Sequence, residues 1–204
     1  MVRIDILISA FEPFGVDDIN PTQLVLKDLP EEIAGCNIHK LLLPVEFKKA
    51  PKIASAEFLK IKPSILIMLG QAGGRDNISI ESKAINLMNA TTLGDNADYK
   101  PQNEPIIFDG SKYLDTTLPI EKIVEAINKE SIPSKISNDA GTYVCNALLY
   151  QMLYLNKEKI PMGFIHVPYI KEQGHLDKPY LELEKITKAI IIAIETTIKE
   201  LKKD

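Results

Sequence analysis

Short apolar runs alternate along this chain with longer segments that have the periodicity of an amphipathic helix. Ile4 to Ile8 and Ile65 to Leu69 are nearly continuous apolar runs, as expected for strands that are covered on both faces. Between them, Ile38 to Leu43 has the pattern of a strand, and the apolar residues from Phe47 to Ile61 share one helical face. This β, α, β, α, β order predicts parallel strands joined by crossover helices.

The rest of the chain predicts one domain that a helix closes. From about Tyr180, apolar residues recur at helical spacing up to Leu201, which predicts a long amphipathic helix. From Asn86 to Pro119 the periodicity is lost, and an irregular segment of this length is usually a functional loop or flap. We therefore predict a single-domain α/β/α sandwich over residues 1–204, with a twisted, mixed and largely parallel sheet flanked by helices.

Charge and cysteine content exclude several classes of function. The 204 residues carry 24 Lys and Arg against 28 Asp and Glu, a formal charge of -4, so no strong field for nucleic acid is expected. No secretory leader precedes Ile4, and no apolar run has the length of a membrane span. Two cysteines make no disulfide framework, and the three histidines lack the paired spacing of a metal site. We expect a cytoplasmic protein without nucleic-acid, membrane or metal partners.

The segment from Asp139 to Asn146 runs from a small, polar turn into a predicted helix. Cys145 lies in the first turns of that helix, where unpaired amides and the positive end of the dipole favour a nucleophilic thiolate. Cys145 is also on the apolar stripe of the helix, as an inert buried cysteine would be. Both interpretations are open from this segment alone. Cys36, at the start of a predicted strand, is interpreted as structural.

Two further segments follow predicted strands. Ser9 to Gly15 contains Phe11 and Phe14, which either cover the core or line an apolar pocket; a helix begins soon after, at Asn20 to Thr22. Leu69 to Arg75 is a Gly-rich turn that lacks both the Lys-Ser/Thr ending of a nucleotide loop and the spacing of a dinucleotide fingerprint. It favours close approach of the backbone to a small ligand.

Glu81 and His166 are the candidate acid and base. Glu81 lies in a strand-like alternation and is either an exposed strand-edge carboxylate or part of a site. His166 ends an apolar run just before Pro168, and is either a base at the edge of the sheet or a core histidine bonded to a carbonyl. His39, in a different kind of strand, and His175, in a polar loop, are weaker candidates for the base.

Taken together, these segments resemble pyroglutamyl peptidase I, also called pyrrolidone-carboxylate peptidase, a family of cytosolic cysteine peptidases. The resemblance spans essentially the whole chain and keeps the order of the family's motifs. The matching segments are 11–15 with Asn20 and Pro21, 70–75, Glu81 with 84–86, 140–146 and 163–169.

The resemblance implies a triad in which Cys145 is the nucleophile, His166 the base and later proton donor, and Glu81 the residue that orients His166. A paired imidazole and the helix end are expected to favour the thiolate over a thiol whose pKa is ordinarily about 8.5. The implied reaction removes an N-terminal pyroglutamyl residue through a thioacyl enzyme, and needs no cofactor. The resemblance also implies a homotetramer.

The resemblance assigns substrate binding as well. It implies that the lactam ring of a peptide with N-terminal pyroglutamate lies between Phe11 and Phe14, with Tyr143 and Val144 beside the nucleophile. Polar groups around Gln71 are expected to pair with the edge of the lactam, so that rings without a carbonyl are rejected.

The chain departs from the family pattern in the 91–92 region. Thr91 and Thr92 stand where many relatives carry an arginine that has been proposed to help the active site, so either another donor replaces it or the rate is lower. Two alternatives follow. One is a lactam-binding protein with weak or no turnover, and the other is a cysteine amidase of different specificity, since a thiol and a histidine indicate acyl transfer without naming the acyl group.

Overall fold

A seven-stranded sheet forms the centre of the computed structural model, which describes residues 4–175 and 177–203. Its strands have the spatial order β2-β3-β1-β4-β9-β5-β8, and β6 and β7 form a separate two-stranded sheet. The strands are β1 (Asp5–Phe11), β2 (Glu32–Ile33), β3 (Cys36–Leu43), β4 (Ile65–Gln71), β5 (Ile78–Glu81), β6 (Lys83–Ile85), β7 (Tyr113–Asp115), β8 (Ser134–Ser137) and β9 (Met162–Val167).

Helices cover both faces of the central sheet. They are α1 (Pro21–Asp28), α2 (Lys49–Ile61), α3 (Ile120–Lys129), α4 (Val144–Leu155) and α5 (Leu183–Leu201), with a short 3-10 helix at Lys171–Gln173. One apolar cluster joins α1, α3 and α5 to one face, and a second cluster joins α2 and α4 to the other. The predicted α/β/α sandwich is therefore confirmed. Cys36 lies at the start of β3 and is buried, as its structural interpretation requires.

The sheet is mixed, and this decides where the site residues lie. β1 pairs in parallel with β3 and β4, and β4 pairs in parallel with β9. However, β5 pairs antiparallel with β9, with Ser79 opposite His166. Glu81, at the carboxyl end of β5, consequently lies alongside β9 instead of at the edge where β1, β4 and β9 end.

The segment from 86 to 119 is irregular, as predicted, but internally bonded. It contains β7 and an isolated bridge between Met88 and Glu104. The side chain of Asn86 accepts hydrogen bonds from the amides of Ile106 and Ile107 and donates to the carbonyls of Ile107 and Gly110. One side chain thus replaces the ladder that a strand would provide for these backbone groups.

Candidate active site

Glu81 and His166 form a buried hydrogen-bonded pair. Nδ1 of His166 lies 2.7 Å from Oε1 of Glu81, and both side chains are almost fully buried. Glu81 is therefore not an exposed strand-edge carboxylate, and His166 has a carboxylate as partner. Burial raises the pKa of Glu81, but the hydrogen bond and charge of His166, with hydrogen bonds from Ser137 and Arg75, lower it overall. The pair is suited to a charged Glu81.

Arg75 connects Glu81 to the turn that precedes α4. Its Nη1 donates to Oε1 of Glu81 at 2.7 Å, and its Nη2 donates to the carbonyl of Asp139 at 2.8 Å. The first contact is a charge-assisted bond to a fully buried carboxylate. One guanidinium therefore links the Gly-rich turn, β5 and the residues that lead into Cys145.

Cys145 is the second residue of α4 and is half-buried. Its sulfur lies over β4, since a methyl group built on Gly70 would be only 2.9 Å from Sγ of Cys145 and 2.6 Å from the ring of Phe164. Gly70 is the register partner of His166 across β4 and β9. A glycine is thus required at position 70, and the thiol and the imidazole occupy the same face of two neighbouring strands.

The pKa of Cys145 corrects one expectation. Burial, and next the negative charge of Glu81, raise the pKa of the Cys145 thiol to about 12, although its own backbone amide and the charge of Arg75 act in the opposite direction. The helix amide therefore acts in the expected direction, but the net shift is upward and favours the thiol over the expected resting thiolate. Desolvation outweighs the helix dipole here, because the sulfur is held against the apolar cluster.

A cavity of about 100 Å³ lies beside the thiol. Phe14 and Tyr143 form one side of it, with ring centroids 6.2 Å apart, and the Tyr143 hydroxyl donates to the carbonyl of Gly94 at 2.8 Å. The residues that line the cavity are Phe11, Phe14, Asn20, Val45, Gln71, Ala140, Tyr143, Cys145 and His166. The structure thus brings together all the predicted site residues except two, Glu81 behind His166 and Val144.

Val144 is fully buried in the apolar cluster of α2 and α4 and is not among the described residues that line the cavity. Conversely, Asn20, Val45 and Ala140 line the cavity but were not predicted as site residues. Asn20 does carry a sequence signal, as a helix cap before proline. Its Oδ1 accepts from the amide of Thr22 at 3.0 Å, and its Nδ2 donates to the carbonyl of Glu12 at 3.0 Å. Val45 has no such signal.

The other two histidines have partners elsewhere. Nε2 of His39 lies 2.8 Å from Asp5, and Nε2 of His175 lies 2.6 Å from Asp17. Neither histidine lines the cavity, so His166 is the one histidine of the described residues that lines it together with Cys145.

Thr91 and Thr92, which stand where many relatives carry an arginine, line a neighbouring cavity that shares Phe14 and Tyr143 with the first. Thr91, Thr92 and Leu93 form part of its lining. The cation that lowers the pKa of Cys145 comes instead from the Gly-rich turn, as Arg75.

Residues 4–175 and 177–203 contain neither a metal-binding cluster nor a membrane-spanning helix. No three His, Cys, Asp or Glu side chains are grouped so as to hold a metal ion. No helix in these ranges has the length and apolar character needed to cross a bilayer.

Comparison with known proteins agrees with this geometry. Residues 4–200 match the family model for pyroglutamyl peptidase. The chain is 43% identical over 199 residues to the pyrrolidone-carboxylate peptidase of Thermococcus onnurineus, covering 95% of this chain and 98% of the relative. It is 40% identical over 205 residues to that of Streptococcus pneumoniae, covering 98% and 95%.

Solved structures agree as well. The fold matches a mutant pyrrolidone carboxyl peptidase from Pyrococcus furiosus with a TM-score of 0.93 and 38% identity, over 97% of this chain and 100% of the other. It matches pyroglutamyl peptidase I from Bacillus amyloliquefaciens with a TM-score of 0.92 and 38% identity, over 96% and 95%. The chain belongs to the pyroglutamyl peptidase family.

Proposed function

We propose that this chain removes the N-terminal pyroglutamyl residue from peptides through a thioacyl enzyme, with Cys145 as nucleophile, His166 as base and Glu81 as the residue that orients His166. Membership of the family supports the activity. The observation that carries the assignment of residues is the cavity itself, which is lined by the apolar rings of Phe11 and Phe14 together with Cys145 and His166.

The protonation states suggest how the reaction begins. Because the pKa of Cys145 is raised to about 12, the thiol is protonated at neutral pH. His166 then accepts the thiol proton as Sγ attacks the acyl carbonyl, and Glu81 stabilises the imidazolium that forms. Since Nδ1 of His166 faces Glu81, Nε2 is the nitrogen that is left for the thiol.

The remaining steps reuse the same groups. His166 donates its proton to the leaving amine as the C–N bond breaks, which leaves the pyroglutamyl group bound to sulfur. His166 then takes a proton from water, the hydroxide portion adds to the thioester carbon, and the thiolate that leaves recovers the proton. Free pyroglutamate is released and the Cys145 thiol is regenerated.

The start of α4 supplies donors for the oxyanion. The first amides of a helix have no partner within it, and the amide of Cys145 is among them because Cys145 is the second helical residue. These dipoles stabilise negative charge that develops next to Sγ. The same amide interacts with the sulfur itself and lowers the pKa of the thiol.

The cavity suits a small, uncharged lactam. Its apolar wall accepts the ring methylenes, and the main chain of Gln71 can meet the polar edge. The register between β1 and β4 ends at the pair of Ser9 and Met68, but β4 continues to Gln71. The amide of Ala72 donates to Val167 of β9 at 2.8 Å. Since successive residues of a strand direct their main-chain groups to opposite sides, those of Gln71 point toward the β1 side, where Phe11 lies.

Turnover of a fluorogenic pyroglutamyl amide tests the proposal. Cys145→Ala should abolish release of the fluorophore, and Cys36→Ala should retain it, because Cys36 is buried at the start of β3, away from the cavity. Prolyl and glutaminyl amides serve as comparison substrates. Full activity of Cys145→Ala would refute the nucleophile. Binding of 2-pyrrolidone without any turnover would favour a lactam-binding protein, and faster turnover of another amide would favour an amidase of different specificity.

The expected cytoplasmic location and homotetrameric assembly stay predictions.

A further inference from the structure

The side chain of Gln71 is held by two residues from other parts of the chain. Its Nε2 donates to Oδ2 of Asp17 at 3.1 Å, and its Oε1 accepts from Nε2 of Gln173 at 2.9 Å. Asp17 follows β1, and Gln173 lies in the 3-10 helix after β9. Both ends of the carboxamide are therefore occupied by partners outside β4.

The two partners are themselves fixed. Nε2 of Gln173 also donates to the carbonyl of Ile19 at 3.0 Å and approaches Oδ2 of Asp17 at 3.3 Å. Oε1 of Gln173 accepts from the amide of Ile170 at 3.0 Å. The other carboxylate oxygen of Asp17 lies 2.6 Å from Nε2 of His175. The network joins the loops that follow β1 and β9 to the last residue of β4.

This network lies on the opposite face of the sheet from the thiol. Side chains alternate between the faces of a strand, and a methyl group on Gly70 would point at Cys145. The side chain of Gln71 therefore points to the other face, where Leu69 packs with α1, α3 and α5. Gln71 nevertheless lines the cavity, so its main chain is the part that can meet a ligand.

We propose that Asp17 and Gln173 are positioning residues for substrate recognition, which hold the Gln71 carboxamide and so fix the end of β4 where its main chain borders the lactam. This inference rests on the proposed function of the cavity. Among the described residues, the pairing of β4 with β1 ends at Met68. The side-chain contacts of Gln71 therefore fix the last residue of β4 where strand pairing on that side has ended. Without them, the main-chain groups that face the lactam lose their fixed direction.

Two substitutions of Gln173 remove its bond to Gln71 in different ways. Gln173→Met keeps the length of the side chain but cannot form hydrogen bonds. Gln173→Glu keeps an oxygen acceptor for the amide of Ile170 but replaces the donor to Gln71 and Asp17 with a carboxylate oxygen. Glu172→Gln is the matched control, because Glu172 is exposed in the same 3-10 helix.

Steady-state kinetics on the pyroglutamyl amide, with 2-pyrrolidone as competitive inhibitor, give the decisive measurements. For both Gln173 variants we expect the KM and the Ki of 2-pyrrolidone to rise about tenfold, which corresponds to one lost hydrogen-bonded constraint. Because the role is in binding and not in the chemical step, we expect kcat to stay within about threefold. A position that matters only for stability would lower Tm without a selective rise in KM and Ki. Glu172→Gln should match the unmodified protein.

The possible failures are distinguishable. If the unmodified protein turns over the amide and both Gln173 variants keep its KM and Ki, the positioning role is refuted and the proposed function stands. A fall in kcat at unchanged KM would also refute it, since it would place the effect on the chemical step. If the unmodified protein neither cleaves the amide nor binds 2-pyrrolidone, both the proposed function and the positioning role are refuted.

Discussion

Nδ1 of His166 lies 2.7 Å from Oε1 of Glu81, and the carboxylate is completely buried. The contact defines the orientation of the imidazole ring and leaves its other nitrogen for Cys145. Because burial by itself raises the pKa of Glu81, the carboxylate is charged only while its partners stay in place. The geometry of the pair and the stability of the fold are therefore coupled.

Glu81 should contribute to stability in a pH-dependent way. Although burial opposes it, the pKa of Glu81 in the folded protein is lowered from its ordinary value of 4.5 through His166, Ser137 and Arg75. A lowered pKa adds stability that is present above the unfolded value and is lost as the pH falls through the folded value. The free energy of unfolding of Glu81→Gln, measured with urea, should therefore approach that of the unmodified protein below about pH 4.5. A difference that stays constant between pH 7 and pH 3 would contradict this.

Arg75 is expected to support the chemical step more than substrate binding. Arg75→Met removes the bonds to Glu81 and to the carbonyl of Asp139. Loss of a charge-assisted hydrogen bond to a buried carboxylate should lower kcat by about 10-fold to 100-fold, with KM little changed because Arg75 does not line the cavity. Arg75→Lys, which keeps the charge, should lose less. Equal activity of Arg75→Met and the unmodified protein would refute this support.

The thiol should react as a half-buried, protonated cysteine. We expect the rate of Cys145 alkylation by iodoacetamide to keep rising above pH 9, since its pKa is raised to about 12 from an ordinary value of about 8.5. Mass mapping separates Cys145 from Cys36. A plateau near neutral pH would instead indicate a resting thiolate paired with an imidazolium.

Two variants should change the rate of Cys145 alkylation in opposite directions. The charge of Glu81 raises the pKa of Cys145, and the charge of Arg75 lowers it. Alkylation at pH 8 should therefore be faster in Glu81→Gln and slower in Arg75→Met. The same direction of change in both would show that altered exposure, not charge, controls the rate.

Gly70 should not tolerate a side chain. The methyl group of Gly70→Ala would lie 2.6 Å from the ring of Phe164 and 2.9 Å from Sγ of Cys145. Overpacking of this kind costs about 1–3 kcal/mol of stability. Adding Phe164→Leu should relieve the clash with the ring but not the clash with sulfur, so the double variant should regain Tm more than kcat. Wild-type activity of Gly70→Ala would contradict the position of the sulfur.

The two phenylalanines should differ in their effects. Phe11 is only 2% exposed, whereas Phe14 is partly buried at the rim of the cavity. Phe11→Ala is expected to cost about 3–5 kcal/mol of stability and to raise KM. Phe14→Ala should raise KM with a much smaller change in Tm. Urea unfolding and steady-state kinetics check both, and an unchanged KM in both variants would remove them from the lactam site.

Much of the fold could be predicted because local patterns carried the information. The continuous apolar run from Ile65 to Leu69 predicted β4, because a strand that is buried on both faces is apolar at every position. The spacing of apolar residues after Tyr180 predicted α5, because a helix that buries one stripe is apolar at every third or fourth position. The helix begins slightly later than predicted, at Leu183, after Tyr180 pairs with Tyr169 in an isolated bridge. The ends of helices depend on contacts with residues that are distant in the sequence, so the local sequence predicts them poorly.

The sequence by itself determined the layers of the sandwich, the family, and the identity of Glu81, Cys145 and His166 as candidates, because periodicity and motif order are properties of the linear chain. Only the tertiary structure decided that β5 runs antiparallel to β9, that Arg75 contacts Glu81, and that the side chain of Gln71 points away from the thiol. It also reversed the expected pKa shift of Cys145, since desolvation depends on atoms that surround the sulfur in space and not on neighbours along the chain.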